Sequence, residues 1–137
     1  MDDHERNLQA IQSIYAAFGR GDVPGILERC SSDVAFAFEG ASPSVAWHGP
    51  WHGASRVGQF FATIAEAVEF QAFEPQSWLA SNSDVAVLVR MRYRVRATGK
   101  QVDQRQVHWW SLKSGKVTQL CHHEDTAQVI EAVRSDS

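Results

Sequence analysis

The second half of the chain carries the feature that most limits its fold, a run of four segments in which apolar and polar residues alternate. The segments cover 70–80, 85–97, 102–112 and 117–124, and short turns rich in Ser, Asn, Gly and Lys separate them. Alternation with a period of two puts successive side chains on opposite faces of a strand. Four such strands joined by short turns predict an antiparallel meander.

The first half has a helical period instead. Apolar residues recur every three or four positions, and Gly or Asp stands where a helix would end or begin. The pattern predicts helices over 4–18, 22–29, 54–68 and 126–133, with a short strand over 34–38 and an aromatic loop over 40–53. Asp125 is interpreted as the cap of the last helix. Helices followed by strands predict a single α+β domain over 1–137.

Composition limits the classes of partner. With 44% hydrophobic residues, 21% charged residues and a net charge of −3, the chain has no excess of positive charge for nucleic acid or an anionic membrane. The 85–97 strand carries a row of arginines, Arg90, Arg92, Arg94 and Arg96. We expect this row to pair with acids on neighbouring strands, such as Glu74 and Asp103.

Targeting signals and cysteine use predict a cytoplasmic protein. The N-terminus is acidic where a signal peptide is basic, and no apolar run approaches the length that spans a membrane. The two cysteines, Cys30 and Cys121, lack the spacing of a disulfide framework or a zinc site. We interpret both as small core residues in a reducing compartment.

Titratable residues are concentrated in the last predicted hairpin, which holds His108, His122, His123, Glu124 and Asp125. The unperturbed pKa of histidine lies nearest neutrality, so imidazoles that face a cavity are candidates for proton transfer. Adjacent strand residues point to opposite faces, so His122 and His123 do not readily bind one metal ion. We therefore predict no metal.

The turn of this hairpin decides which histidines meet, because directly opposed residues share a face. A plain two-residue turn sends His122 outward and brings His123 to the face of His108. A three-residue turn that ends in a left-handed Gly115 shifts the register by one residue and places His108 and His122 together. The position of the glycine favours the second geometry, and both stay open.

Several short motifs, taken in order, resemble a known family. They are 15–18 with Gly21-Asp22, 32–34, Trp51-His52-Gly53 leading to Phe60-Phe61, Val107-His108-Trp109, Gly115-Lys116-Val117 and 124–127. The chain resembles the nuclear-transport-factor-2-like fold, specifically the SnoaL-like polyketide cyclases and the ketosteroid isomerase-like proteins. The resemblance implies a cone-shaped α+β barrel, in which a strongly curved antiparallel sheet wraps around the N-terminal helices and encloses a pocket.

The resemblance also implies site residues. His108 falls where the isomerases place the acid of their oxyanion hole, and His122 falls near the acid/base carboxylate of the cyclases. The isomerase signature is not met, since Ile14 stands at its tyrosine position and Phe38 at its catalytic aspartate. Tyr15 and Glu39, one residue beyond each, are the substitutes, and steroid isomerisation is not expected.

We predict His108 and His122 as the catalytic pair, acting without a cofactor on a hydrophobic carbonyl or polyketide-like molecule. The predicted substrate-binding residues are Tyr15, Phe18, Trp47, Trp51, Phe60 and Trp110, and the loop with Trp47 and Trp51 is a candidate lid. Trp109 should point outward, and a homodimer through the outer sheet face is expected. The alternative is a non-catalytic ligand-binding or dimerisation module of the same fold.

Overall fold

The predicted helices and strands are present in the structure, a computed structural model that describes residues 2–136. In chain order they are α1 (Asp3–Gly19), α2 (Val23–Glu28), β1 (Cys30–Phe38), β2 (Trp51–His52), α3 (Ala54–Ala67), β3 (Val68–Ala80), β4 (Asp84–Val95), β5 (Gln101–Lys113), β6 (Lys116–His123) and α4 (Thr126–Val133). Strand β2 was not predicted. Asp22 and Asp125 cap α2 and α4 by accepting backbone N–H groups, as expected.

The strands form one curved sheet in the order β2-β1-β6-β5-β4-β3. Strands β3 to β6 are the predicted antiparallel meander, but β1 runs parallel to β6, so the sheet is mixed. The sheet does not close, because β2 and β3 are its two edges. The predicted α+β class is therefore confirmed, with an open curved sheet in place of a closed barrel. Pro75 lies in the edge strand β3, where its missing N–H is tolerated.

The helices cover the inner face of this sheet. Ile11, Ile14 and Ala17 of α1 are buried, as are Val57 and Phe60 of α3. Strand β4 shows the cleanest alternation, with Val85, Val87, Val89, Met91, Tyr93 and Val95 buried. Apolar rows from the helices and the strands thus form a shared core, and removal of this area from water stabilises the fold.

The β5–β6 hairpin places His108 directly opposite His122. The mechanism differs from the predicted one, because Lys113 pairs with Lys116 and the turn has only two residues. The register changes farther along the hairpin, between Ser111 and Leu112, where Thr118 of β6 has no partner of its own. A bulge inserts one extra residue into a strand, which is what brings His122 rather than Cys121 opposite His108.

Both residues of this turn have positive φ angles, 51° at Ser114 and 79° at Gly115. This is the type I′ geometry, in which Asn-Gly is favoured and a serine is strained. We expect Ser114→Asn to raise the free energy of unfolding in urea by up to about 1 kcal/mol, and Gly115→Ala to lower it. A Ser114→Asn protein no more stable than the parent would contradict this assignment of the turn.

The outer face of the sheet is polar at one end and apolar at the other. Ion pairs join Arg90 to Asp103 at 2.9 Å, and Glu69 to Arg94 and Arg96 at 3.7 and 3.6 Å. The ion-paired interpretation is confirmed for Arg90, Arg94 and Arg96, with Glu69 in the place expected for Glu74. Among residues 2–136, no helix has the length and apolar character needed to cross a membrane.

The two cysteines have different environments. Cys30 is buried in the core, as predicted. Cys121 is only partly buried, and its Sγ lies 3.9 Å from a carboxylate oxygen of Glu39. The core prediction was therefore wrong for Cys121, because the bulge at Thr118 leaves Cys121 opposite the outward-pointing Trp109.

Candidate functional site

An apolar cavity lies between α1, α3 and the inner face of the sheet. Its empty volume is about 630 Å³ with the mouth included, and about 70 Å³ of this is wide enough for the centre of a water molecule. Seven of the eight predicted site residues lie on its wall: Tyr15, Phe18, Trp47, Phe60, His108, Trp110 and His122. Four phenylalanines of the wall are only partly buried: Phe18, Phe61, Phe70 and Phe73. The cavity suits a narrow, largely apolar molecule.

Trp51 is the predicted site residue that does not line the cavity. It is buried behind Phe60, and its indole N–H donates to the carbonyl oxygen of Trp47 at 3.0 Å. The loop is consequently a packed part of the wall, with Trp47 3% exposed. An aromatic run in a loop does not reveal that both indoles are buried, and the lid role of this loop stays a prediction.

His108 has both ring nitrogens engaged by the protein. Trp110 donates its indole N–H to the Tyr15 hydroxyl at 3.1 Å, and this hydroxyl donates to Nδ1 of His108 at 2.6 Å. Nε2 of His108 lies 3.3 Å from Oε1 of Gln106. His108 therefore fixes Tyr15 and has no nitrogen left for a ligand.

The tautomer of His108 follows from a chain of amide groups. The backbone N–H of Asp125 donates to Oε1 of Gln104 at 3.1 Å, which orients the Gln104 amide. Nε2 of Gln106 donates to the same Oε1 at 3.2 Å, so Oε1 of Gln106 is turned toward His108. Because a carbonyl oxygen only accepts, Nε2 of His108 carries the proton. Neither glutamine was predicted as a site residue, since amides on alternating strand positions have no distinctive pattern.

His122 is arranged differently. Its Nδ1 lies 3.0 Å from the carbonyl oxygen of Ala37, so Nδ1 carries the proton and Nε2 has a free lone pair. No described residue forms a hydrogen bond with Nε2, and the ring lines the cavity. The ring stacks on Phe38 with centroids 3.9 Å apart, and it lies 4.9 Å from the ring of His108.

Both imidazoles are held neutral. Burial, followed by the proximity of His122, lowers the pKa of His108 well below its ordinary value. Burial lowers the pKa of His122 to about 4. The hydrogen bond to Ala37 raises this pKa, and the proximity of His48 and His123 lowers it further. A buried histidine loses the hydration that favours its charged form. At neutral pH, Nε2 of His122 is therefore a permanent hydrogen-bond acceptor.

A second buried network, which the sequence analysis missed, lies behind Phe38. Ser42 donates its backbone N–H to Nδ1 of His48 at 2.9 Å, so the His48 proton lies on Nε2, which donates to Oε1 of Glu124 at 2.8 Å. Both side chains are 1% exposed, and Oε2 of Glu124 has no hydrogen bond within the described chain. Glu124 therefore orients a histidine that lies 76 positions away in the sequence.

Tyr93 is a further polar residue of the wall that was not predicted as a site residue. The alternation of β4 predicted only that Tyr93 would be in the core, yet its ring lines the cavity. Its hydroxyl has no hydrogen bond to any residue in 2–136. Burial, followed by the charge of Glu124, raises the pKa of Tyr93, so the phenol keeps its proton.

The positions carried over from the isomerases separate clearly. Tyr15, Ile14 and Phe38 line the cavity, whereas Glu39 is exposed beside Cys121. His123 is exposed on the face opposite His122.

The wall offers a metal ion only one free imidazole nitrogen and no carboxylate or thiolate, which is a poor ligand set.

Comparisons with known proteins agree with this architecture. Residues 11–120 match the family described as SnoaL-like domain. An uncharacterized protein of Mycobacterium tuberculosis is 26% identical over 116 residues, which cover 85% of this chain and 86% of that protein. An NTF2-like protein from Burkholderia xenovorans is 25% identical in sequence, and its crystal structure matches with a TM-score of 0.86. The match covers 96% of this chain and 98% of that protein. TerC, which was co-crystallized with polyporic acid, shares the fold with a TM-score of 0.82. It is 23% identical, and the match covers 95% of this chain and 99% of TerC.

Proposed function

The chain belongs to the SnoaL-like domain family, and we propose that it is a cofactor-independent acid/base enzyme that enolises a small hydrophobic carbonyl compound. The observation that carries the proposal is the free Nε2 of His122 on the wall of an apolar cavity. The neutral ring presents a base to the ligand. TerC, which shares the fold, was co-crystallized with an organic molecule, polyporic acid. Isomerisation and cyclisation both begin with such a proton transfer.

The proposed step has a simple balance of atoms and electrons. Nε2 of His122 takes a proton from the carbon next to the carbonyl, the C–H electron pair forms the C=C bond of an enolate, and the carbonyl electrons move to oxygen. The Nδ1–H bond to Ala37 holds the imidazolium that forms. Return of the proton from the imidazolium to a different carbon of a conjugated enolate completes an isomerisation. In a cyclisation the enolate carbon attacks a second carbonyl, the electrons of that C=O bond move to its oxygen, and this oxygen takes the proton from the imidazolium. No electrons are lost or gained, so the step needs no redox cofactor.

His108 takes a positioning role in this proposal. Its two nitrogens hold Tyr15 on one side and the glutamine chain on the other. The predicted pair of imidazoles is thus divided into one base, His122, and one support, His108.

Hydrogen exchange on a model ketone tests the proposal without knowledge of the natural substrate. We expect the protein to accelerate incorporation of deuterium next to the carbonyl of 2-tetralone in deuterium oxide at pH 7, followed by proton NMR. Buffer and heat-unfolded protein are the controls. An exchange rate equal to that in buffer would contradict the enzymatic proposal.

The narrowness of the cavity favours a second candidate, a binding module that captures its ligand without altering it. Only about 70 Å³ admits the centre of a water molecule, so an occupant has little room to react. This candidate predicts that 2-tetralone raises the melting temperature by binding the folded state, while its deuterium content stays at the buffer level.

We also propose a homodimer through the outer sheet face. Leu79, Ala86, Trp109 and Cys121 lie side by side across β3 to β6. Leu79 is 75% exposed and Trp109 is 47% exposed, the outward direction predicted for Trp109. Exposed apolar rows of this kind are typical of interaction surfaces.

We also propose that the protein works in the cytoplasm, because its two free thiols fit a reducing compartment.

Light scattering with size exclusion tests the dimer. We expect the parent protein to be dimeric at micromolar concentration, and Trp109→Lys to raise the dissociation constant by roughly 30-fold or more, because a buried tryptophan is a typical hot spot. Gln12→Lys, on the exposed side of α1, is the matched control and should remain dimeric. A monomeric parent protein would contradict the proposal.

A further inference from the structure

The two strands β4 and β6 each bring one polar atom without a hydrogen-bond partner in the described chain to the wall of the cavity, and the indole N–H of Trp47, in the loop before β2, is a third. The Tyr15 hydroxyl, the Trp110 indole N–H and both nitrogens of His108 have partners within the protein. Nε2 of His122 and the hydroxyl of Tyr93 have no hydrogen-bond partner within residues 2–136. The first is an acceptor and the second is available as a donor. Among the strand residues of the wall, a ligand that fills the cavity therefore meets one acceptor on β6 and one donor on β4.

The surroundings of Tyr93 are negative. The side chain of Glu124 is 1% exposed, its Oε2 has no partner among the described residues, and its charge raises the pKa of the Tyr93 hydroxyl. His48 does not cancel this charge, because its Nδ1 accepts the Ser42 N–H and so carries no proton. The cavity wall includes no lysine or arginine. An anion that entered here would lose its hydration and gain no cation in return.

We propose that Tyr93 is a binding residue that donates a hydrogen bond to an uncharged oxygen of the ligand, and that Glu124 behind it excludes carboxylates. The substrate class is then a neutral ketone, aldehyde or ester with a hydrophobic body. The inference rests on the proposed function only in placing the ligand in the same cavity. It makes a claim about binding that does not require turnover.

Three probes with the same phenyl ring separate the effects of an uncharged carbonyl, a negative charge and the apolar body alone. They are acetophenone, benzoate and ethylbenzene. Ligand-observed NMR titrations at pH 7 give their dissociation constants. We expect acetophenone to bind at least about tenfold more tightly than benzoate, because only the ketone offers an uncharged acceptor. Tyr93→Phe should weaken acetophenone by about 3- to 10-fold and leave ethylbenzene unchanged, since the ring is kept and only the hydroxyl is lost.

Glu124→Gln provides the charge test, because the amide oxygen still accepts the proton of His48. We expect this variant to bind benzoate more tightly than the parent protein by about 3- to 10-fold, with little change for ethylbenzene. The comparison of probes on the parent protein needs no variant, so it decides the matter even if a variant fails to fold.

Benzoate bound as tightly as acetophenone, acetophenone unaffected by Tyr93→Phe, or no binding of acetophenone would each overturn the inference. Failure of the proposed function looks different. In that case acetophenone binds with the expected preference, but 2-tetralone takes up no deuterium beyond the buffer rate.

Discussion

His122→Asn is expected to slow protein-catalysed deuterium uptake by 2-tetralone by roughly 100- to 10,000-fold, the usual contribution of a positioned general base. Asparagine keeps an N–H group at the position of Nδ1, and so retains the hydrogen bond to the Ala37 carbonyl. It lacks any atom at the position of Nε2. The variant thus removes the base and keeps the backbone contact that orients it.

His123→Asn is the matched control for this experiment. His123 is the next residue on the same strand, but it is exposed on the opposite face. Its replacement should leave the exchange rate unchanged. Equal exchange by the parent protein and His122→Asn would remove the catalytic role of His122.

A steep loss of stability between pH 6.5 and pH 5 is the second large effect expected. In the unfolded chain both buried histidines titrate near their ordinary pKa of about 6.5. In the folded protein the pKa of His122 falls to about 4, and that of His108 lies well below 6.5. The unfolded state therefore binds more protons over this window, so stability is complete above pH 6.5 and is lost as the pH falls.

The size of the loss follows from linkage. Because its folded-state pKa is about 4, His122 contributes about 1.4 kcal/mol per pH unit below 6.5 and removes roughly 2 kcal/mol by pH 5. His108 adds a further loss in the same direction. Urea unfolding at pH 7, 6 and 5 measures this slope. His122→Asn should make the slope shallower, whereas His123→Asn should leave it unchanged. A free energy of unfolding that stays constant from pH 7 to pH 5 would contradict the buried, neutral state of both rings.

The architecture was largely predictable because most of its pairing is local. The period of two in 70–124 and the helical period before it locate the elements of the meander and the helices to within a few residues. The missed features are nonlocal or very short. Strand β2 has only two residues, and β1 pairs with β6 across more than 80 positions. No local pattern signals such a contact.

The site was predictable in its residue types and less so in its connections. The sequence pointed to His108 and His122, and the structure places both rings on one wall. Their shared face depends on the bulge at Thr118, and a threonine in a strand has no feature that predicts a bulge. The proton positions on the two rings depend on the hydrogen bond that His122 donates to the Ala37 carbonyl and on the one that the Asp125 N–H donates to Gln104, and only the tertiary structure brings these groups together.

Nitrogen-15 NMR of the histidine rings tests the central claim most directly, because the shifts of Nδ1 and Nε2 report which nitrogen carries the proton. Between pH 5.5 and pH 8, His122 should be neutral with its proton on Nδ1, and its Nε2 signal should shift when 2-tetralone is added. A His122 ring that titrates near pH 6.5, or that carries its proton on Nε2, would contradict the account.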